Sequence, residues 1–170
     1  LPFIALGLLV SGCGVTQSVS ESTASVTRAV FHKQVRTLRL DFDGRLALNT
    51  HAADMRGFSV PVMVRVYQLR DGKALTQATY DDLLRDADTL LGAELLEQRS
   101  VVVKPGEGVQ LDVPLNDHAG SVAVVALFRE PDLQLNDWRL MLTRDDLDPD
   151  RPRVIELGEN RLALRPLAED

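Results

Sequence analysis

The chain has one cysteine, Cys13, and its setting is the clearest chemical signal in the sequence. It follows Val10-Ser11-Gly12 and closes an apolar run (LPFIALGLLV) in which no charge appears; the first charged residue is Glu21. A thiolate can accept a diacylglycerol group, and small residues before it let a peptidase reach the bond preceding the cysteine. The competing reading is a buried apolar strand that ends in an ordinary core cysteine. A lone cysteine also excludes an intrachain disulfide.

Other reactive side chains form no comparable pattern. His32, His51 and His118 fall in a polar stretch, a loop and a turn, without metal-ligand spacing. The run Asp145-Asp146-Leu147-Asp148-Pro149-Asp150 lacks the glycine and terminal glutamate of an EF-hand loop and reads as a solvated turn. Asp81, Asp82, Asp86 and Asp88 crowd a candidate helix, where two of them favour the positive end of its dipole. No G-x-S-x-G, P-loop or G-x-G-x-x-G motif is present, so the chain reads as a non-enzyme that calls for no cofactor or metal. More suggestive is the loop Asn49–Phe58 (NTHAADMRGF), whose Met55, Arg56 and Phe58 are types enriched in the cores of protein interfaces. An ordinary loop with its phenylalanine turned inward is the alternative.

The elements that position these residues follow from length and pattern. At 170 residues, 45% apolar and 26% charged, the chain suits a single folded domain. Its net charge of −6 argues against general nucleic-acid binding. As a helix, residues 1–12 would reach only about 18 Å, short of the roughly 30 Å hydrocarbon core, so they read as the apolar region of a signal peptide. No initiating Met and no basic region precede it, which points to a chain that begins inside its leader. Residues 13–34, rich in Ser, Thr and Val, read as the lipidated cysteine and a flexible tether, and residues 35–170 as the folded domain.

Within that domain, Leu38, Leu40, Phe42, Leu46 and Leu48 alternate with polar residues, as in a long strand with one buried face and a bend at Gly44. Val60, Val62, Val64 and Val66 repeat the pattern. Further β-type runs cover 95–103, 109–115, 122–129, 138–143, 153–157 and 161–165, separated by turn signals such as Pro105-Gly106 and Gly158-Glu159-Asn160. The run 122–128 is apolar on both parities and suggests a central strand. Thr79 and Asp82 have capping-box spacing, and Leu83, Leu84, Ala87, Leu90 and Leu91 follow at helical period before Gly92. The expected fold is a mainly β, antiparallel two-sheet sandwich with a short inserted helix. Charge is uneven: residues 28–45 sum to +3, while 80–97 and 130–150 each sum to −5, an asymmetry able to orient a protein partner.

Val10-Ser11-Gly12-Cys13 resembles the bacterial lipobox. The chain beyond it is similar to the TssJ (SciN/VasD) family, outer-membrane lipoproteins of type VI secretion systems. The likeness lies in Leu46-Ala47-Leu48-Asn49, in the strand Ser59–Leu69 (SVPVMVRVYQL), and in Leu75–Leu83 (LTQATYDDL) as a strand-to-helix passage. Pro105-Gly106, the strand Val122–Arg129 and Trp138-Arg139 then follow in order. The resemblance implies a transthyretin-like β-sandwich, acyl chains such as palmitate on Cys13, and an outer-membrane position facing the periplasm. Gly14, rather than the aspartate associated with inner-membrane retention, agrees with that sorting. It further implies binding to the periplasmic region of TssM, an inner-membrane protein of the IcmF type, and to other components of the membrane complex. By position, the partner-contact candidates are His51, Asp54, Met55, Arg56 and Phe58. A rival from another class is a lipoprotein carrier that holds a small lipid or glycan within its sandwich.

Overall fold

The computed structural model describes residues 34–53 and 57–167. Cys13, the tether, and the loop residues Asp54, Met55 and Arg56 lie outside the described residues. Eight strands form two four-stranded sheets. They are β1 (Thr37–Gly44), β2 (Val62–Leu69), β3 (Leu95–Val103), β4 (Gly108–Pro114), β5 (Ser121–Ala126), β6 (Arg139–Thr143), β7 (Arg153–Gly158) and β8 (Arg161–Leu164). One sheet has the order β4-β1-β7-β8 and the other β3-β2-β5-β6. The expected sandwich is present, with one departure from antiparallel pairing: β1 runs parallel to β7, from Leu40↔Arg153 to Gly44↔Leu157. Parallel neighbours need a long crossover. Here the whole second sheet intervenes in the chain between them.

Alternation sets the core. Leu38, Leu40 and Phe42 of β1 turn inward and are buried, opposite Val113, Leu111 and Val109 of β4. Val62, Val64 and Val66 face them from β2. The even-number rule fails at Leu46, which is 80% exposed, whereas Leu48 is fully buried. The reason lies at Gly44, where β1 ends. A Cβ there would sit 2.6 Å from the Lys104 carbonyl oxygen and 2.8 Å from Val103 Cγ1. The chain leaves the sheet at that close approach, and strand parity no longer governs the residues beyond it.

Strand β5 is buried at all six positions because helices cover its outer face. Two helices, not one, do this: α1 (Lys73–Gln77) and α2 (Tyr80–Leu91). The residues around Leu75, expected as the end of a strand, form α1 instead. Arg139 compensates for the brevity of α1 by donating to the carbonyls of Leu75 at 2.7 Å, Ala78 at 3.0 Å and Thr76 at 3.2 Å, adding to the single bond from the Ala78 N–H to Leu75 that closes the helix. Its guanidinium also lies 4.9 Å from the centre of the buried Trp138 ring, a cation–π contact. The capping box of α2 forms as expected: the Asp82 N–H donates to Thr79 Oγ1 at 3.2 Å, and Thr79 returns bonds to the Asp82 carboxylate. These bonds hold the Asp82 pKa below its usual value. Leu83, Ala87 and Leu91 form the buried stripe, interrupted by a kink at Asp86.

Candidate functional site

Four connections share one pole of the sandwich. They are β1–β2 (residues 45–61), β3–β4 (104–107), β5–β6 (127–138) and the tight β7–β8 turn at Glu159-Asn160. The β1–β2 loop is far longer than the two to five residues of a common hairpin, so its base must be fastened by side chains. Asn49 does much of this. It is 3% exposed and has a left-handed backbone (φ 50), a conformation asparagine tolerates better than other side-chain-bearing residues. Its Oδ1 accepts from the Arg129 N–H at 2.7 Å, and its Nδ2 donates to the Pro61 carbonyl at 3.0 Å. One amide therefore joins both ends of the β1–β2 loop to the β5–β6 loop.

Neighbouring bonds extend the fastening. The Ala52 N–H donates to Glu130 Oε2 at 2.9 Å, and His51 Nε2 lies 3.1 Å from Glu130 Oε1. Asn160 Nδ2 donates to the Thr50 carbonyl at 2.9 Å, and the Glu159 N–H to that of Ala47 at 2.8 Å. Below the pole, the Tyr80 hydroxyl donates to the Phe128 carbonyl at 2.6 Å, and its ring meets Trp138 edge-on at 5.1 Å. Burial pushes the Tyr80 hydroxyl up to about 12, so it stays a donor across the accessible pH range. These bonds fix the base of the loop.

Large apolar side chains stand out on this pole. Phe58 is 59% exposed, and the loops also expose Leu46 at 80%, Leu133 at 61% and Leu135 at 74%. A single exposed leucine is ordinary; here several large apolar residues stand on adjoining loops, the residue type from which interaction surfaces are built. Of the sequence candidates, His51 belongs to the fastened base and Phe58 to the exposed set. Leu46, Leu133 and Leu135 were missed: parity assigned Leu46 to the core, and nothing in the spacing singled out the other two.

The outer face of the β4-β1-β7-β8 sheet has a different character. Arg45 and Arg165 both pair with Glu156, and Arg165 also with Asp43. Hydrogen bonds from Arg45 and then Arg165 hold the Glu156 carboxyl down at about 2. Two shallow concavities open on this face, one lined by Arg45, Glu156 and Arg161, the other by Asp41, Asp43 and Arg165. In the first, Arg45 pairs with Glu156 and Arg161 with Glu159; in the second, Arg165 pairs with Asp43, and such charged walls do not suit a lipid tail. Among the described residues, no group of three His, Cys, Asp or Glu could hold a metal ion. Nor is any described helix long and apolar enough to cross a membrane.

Comparison with known proteins agrees with this architecture. The family model described as type VI secretion lipoprotein (VasD, EvfM, TssJ) matches residues 36–160. A chain of the structure described as the T6SS protein TssM C-terminal domain (869–1107) from EAEC is 41% identical, with a TM-score of 0.69. A chain of a structure described as a type VI membrane complex is 42% identical, with a TM-score of 0.73. Each match covers 78% of this chain and 100% of the other. The T6SS lipoprotein TssJ1 from Pseudomonas aeruginosa is 27% identical over 79% of this chain and 99% of its own, with a TM-score of 0.63. No curated protein sequence gives a significant match. The family pattern runs from the residue before β1 to the turn before β8, and the chain belongs to the type VI secretion lipoprotein family.

Proposed function

We propose that this lipoprotein anchors a type VI secretion membrane complex to the outer membrane. Residues 1–12 act as the leader, acyl chains on Cys13 as the anchor, residues 13–34 as the tether, and the domain from residue 35 as the docking module. The docking partner is the periplasmic region of a TssM/IcmF-like inner-membrane protein. The observation that carries this reading is the 41% identity, over 78% of the chain, to a chain of the structure described as the TssM C-terminal domain. The exposed apolar side chains of the four-loop pole supply a surface suited to that contact. Two acyl chains give stable anchoring, since each buried CH₂ contributes about 0.8 kcal/mol. The role is associative rather than catalytic.

Calorimetry with residues 21–170 and the periplasmic region of the TssM-like protein from the same genome tests the docking. A variant with Met55, Arg56 and Phe58 all changed to Ala is run beside it. Saturable binding that the folded triple variant loses supports both partner and loop. Binding that survives keeps the partner and moves the contact to Leu46, Leu133 and Leu135. Absence of binding by a folded domain overturns the reading and favours the carrier. Cys13→Ser should move the protein from the membrane to the soluble fraction with its fold unchanged.

A further inference from the structure

Resting on that reading, we propose that β1 is the tension-bearing element of the molecule. It carries load between the tether and the docking pole by placing its hydrogen bonds in shear. The tether joins one end of this strand, while the pole at its other end also comprises the β3–β4, β5–β6 and β7–β8 connections, so load taken up by those connections reaches β1 only through its neighbours. The chain enters the domain at Val35, β1 runs from Thr37 to Gly44, and the β1–β2 loop begins immediately beyond. Eight strand residues at about 3.3 Å each separate the ends by roughly 25 Å. A pull from the tether against those connections is therefore directed along the axis of β1 and shears its ladders.

The strand is held as such a member would need to be. It is internal to its sheet, pairing with β4 from Thr37↔Pro114 to Asp43↔Gly108 on one side and with β7 on the other. Sliding β1 lengthwise must break both ladders together, while Leu38, Leu40 and Phe42 leave the core. Each end carries additional bonds. At the entry, the Leu115 N–H donates to the Arg36 carbonyl at 2.8 Å, Arg144 to the Val35 carbonyl at 3.2 Å, and Arg39 to the Pro149 carbonyl at 2.6 Å. At the pole, the Gly44 N–H donates to the Glu107 carbonyl at 3.0 Å and the Arg45 N–H to that of Leu157 at 2.8 Å. The Arg45–Glu156–Arg165–Asp43 ion pairs fasten the outer face of β1 to β7 and to the residue after β8.

The other end of the domain is built in the opposite way. β8 lies at a sheet edge and pairs only with β7, over Ile155↔Leu164 to Gly158↔Arg161. Because β7 is parallel to β1 and β8 antiparallel to β7, the chain leaves β8 toward the end at which it enters β1. Pulling the two chain ends apart would peel β8 away one bond at a time, whereas pulling from tether to pole loads the β1 ladders at once.

Single-molecule pulling on the Cys13→Ser chain separates the two geometries. One variant carries handles at Gln34→Cys and Gln134→Cys, the second position being exposed in the β5–β6 loop; the other carries them at Gln34→Cys and Leu167→Cys. Circular dichroism first establishes that both variants are folded. Forced unfolding reads the barrier along the pulling direction, so at equal loading rate the tether-to-pole pull should need at least about twice the force of the end-to-end pull. Adding Arg45→Gln, which removes only the ion pair between the end of β1 and Glu156 of β7, should lower the force of the first variant and leave that of the second nearly unchanged. Equal or lower force in the tether-to-pole direction overturns the inference. Neither partner nor membrane is present in this measurement, so its failure is distinct from a failure of TssM binding.

Discussion

Replacing Asn49 with alanine should unfasten the four-loop pole, and the size of the effect can be worked from the structure. The side chain is buried and makes two bonds, one with the Arg129 N–H at 2.7 Å and one with the Pro61 carbonyl at 3.0 Å. Leaving two part-buried backbone groups without these partners should cost about 3 kcal/mol, allowing for some access by water. Alanine at φ 50 adds about 1 kcal/mol of backbone strain that asparagine largely avoids. A loss of about 4 kcal/mol would lower the melting temperature by roughly 12–16 °C for a domain of this size.

Two companion variants divide that loss. Asn49→Gly loses both bonds but relaxes the backbone, so it should be less damaging than Asn49→Ala by about 1 kcal/mol. Asn49→Asp keeps the acceptor for the Arg129 N–H but turns a carboxylate oxygen toward the Pro61 carbonyl, and should fall between wild type and alanine. Urea unfolding followed by circular dichroism measures all three. If Asn49→Ala lies within about 0.5 kcal/mol of wild type, surface-like behaviour, the amide does not hold the loops and the account of the pole is wrong.

Three further outcomes are expected. Phe58→Ala and Leu135→Ala should each weaken partner binding by about tenfold, while the urea midpoint stays unchanged because both side chains are exposed. Tyr80→Phe should cost about 1–2 kcal/mol in urea unfolding, since it removes the 2.6 Å bond to the Phe128 carbonyl but keeps the edge contact with Trp138. Glu156 titrates near 2 in the fold against an ordinary 4.5, so its stabilisation is fully present above pH 4.5 and is lost as pH falls toward 2. The stability difference between wild type and Glu156→Gln should therefore shrink across that window, as followed by the urea midpoint at stepped pH.

How far the sequence revealed this fold depended on which interaction governed each segment. Period-two alternation found β1 and the first half of β2 because these have one face in the core and one more open face. The Thr79/Asp82 spacing found α2 because a capping box is local chemistry that needs no tertiary partner. Helix α1 was not legible. Its five residues carry too little period to register, and its end is satisfied from Arg139, 62 positions beyond Gln77 in the chain. The parallel β1–β7 pair was equally hidden, because alternation reports a buried face and says nothing of which strand lies alongside.

The exposed apolar set of the four-loop pole was half legible, and the division has a physical cause. Loop length and residue type drew attention to Asn49–Phe58, and Phe58 is indeed exposed there. Leu46 and Leu48 have the same parity and the same side chain, yet one is 80% exposed and the other fully buried. What separates them is the backbone contact at Gly44 with Lys104, a residue 60 positions later. Asn49 likewise gains its importance from Arg129, 80 residues away, so its type alone suggested no more than a turn. An interaction surface made by several loops exists only after the strands have gathered them. The core could be read from each strand by itself, but the exposed apolar set became visible only when Leu46, Phe58, Leu133 and Leu135 arrived on adjoining connections.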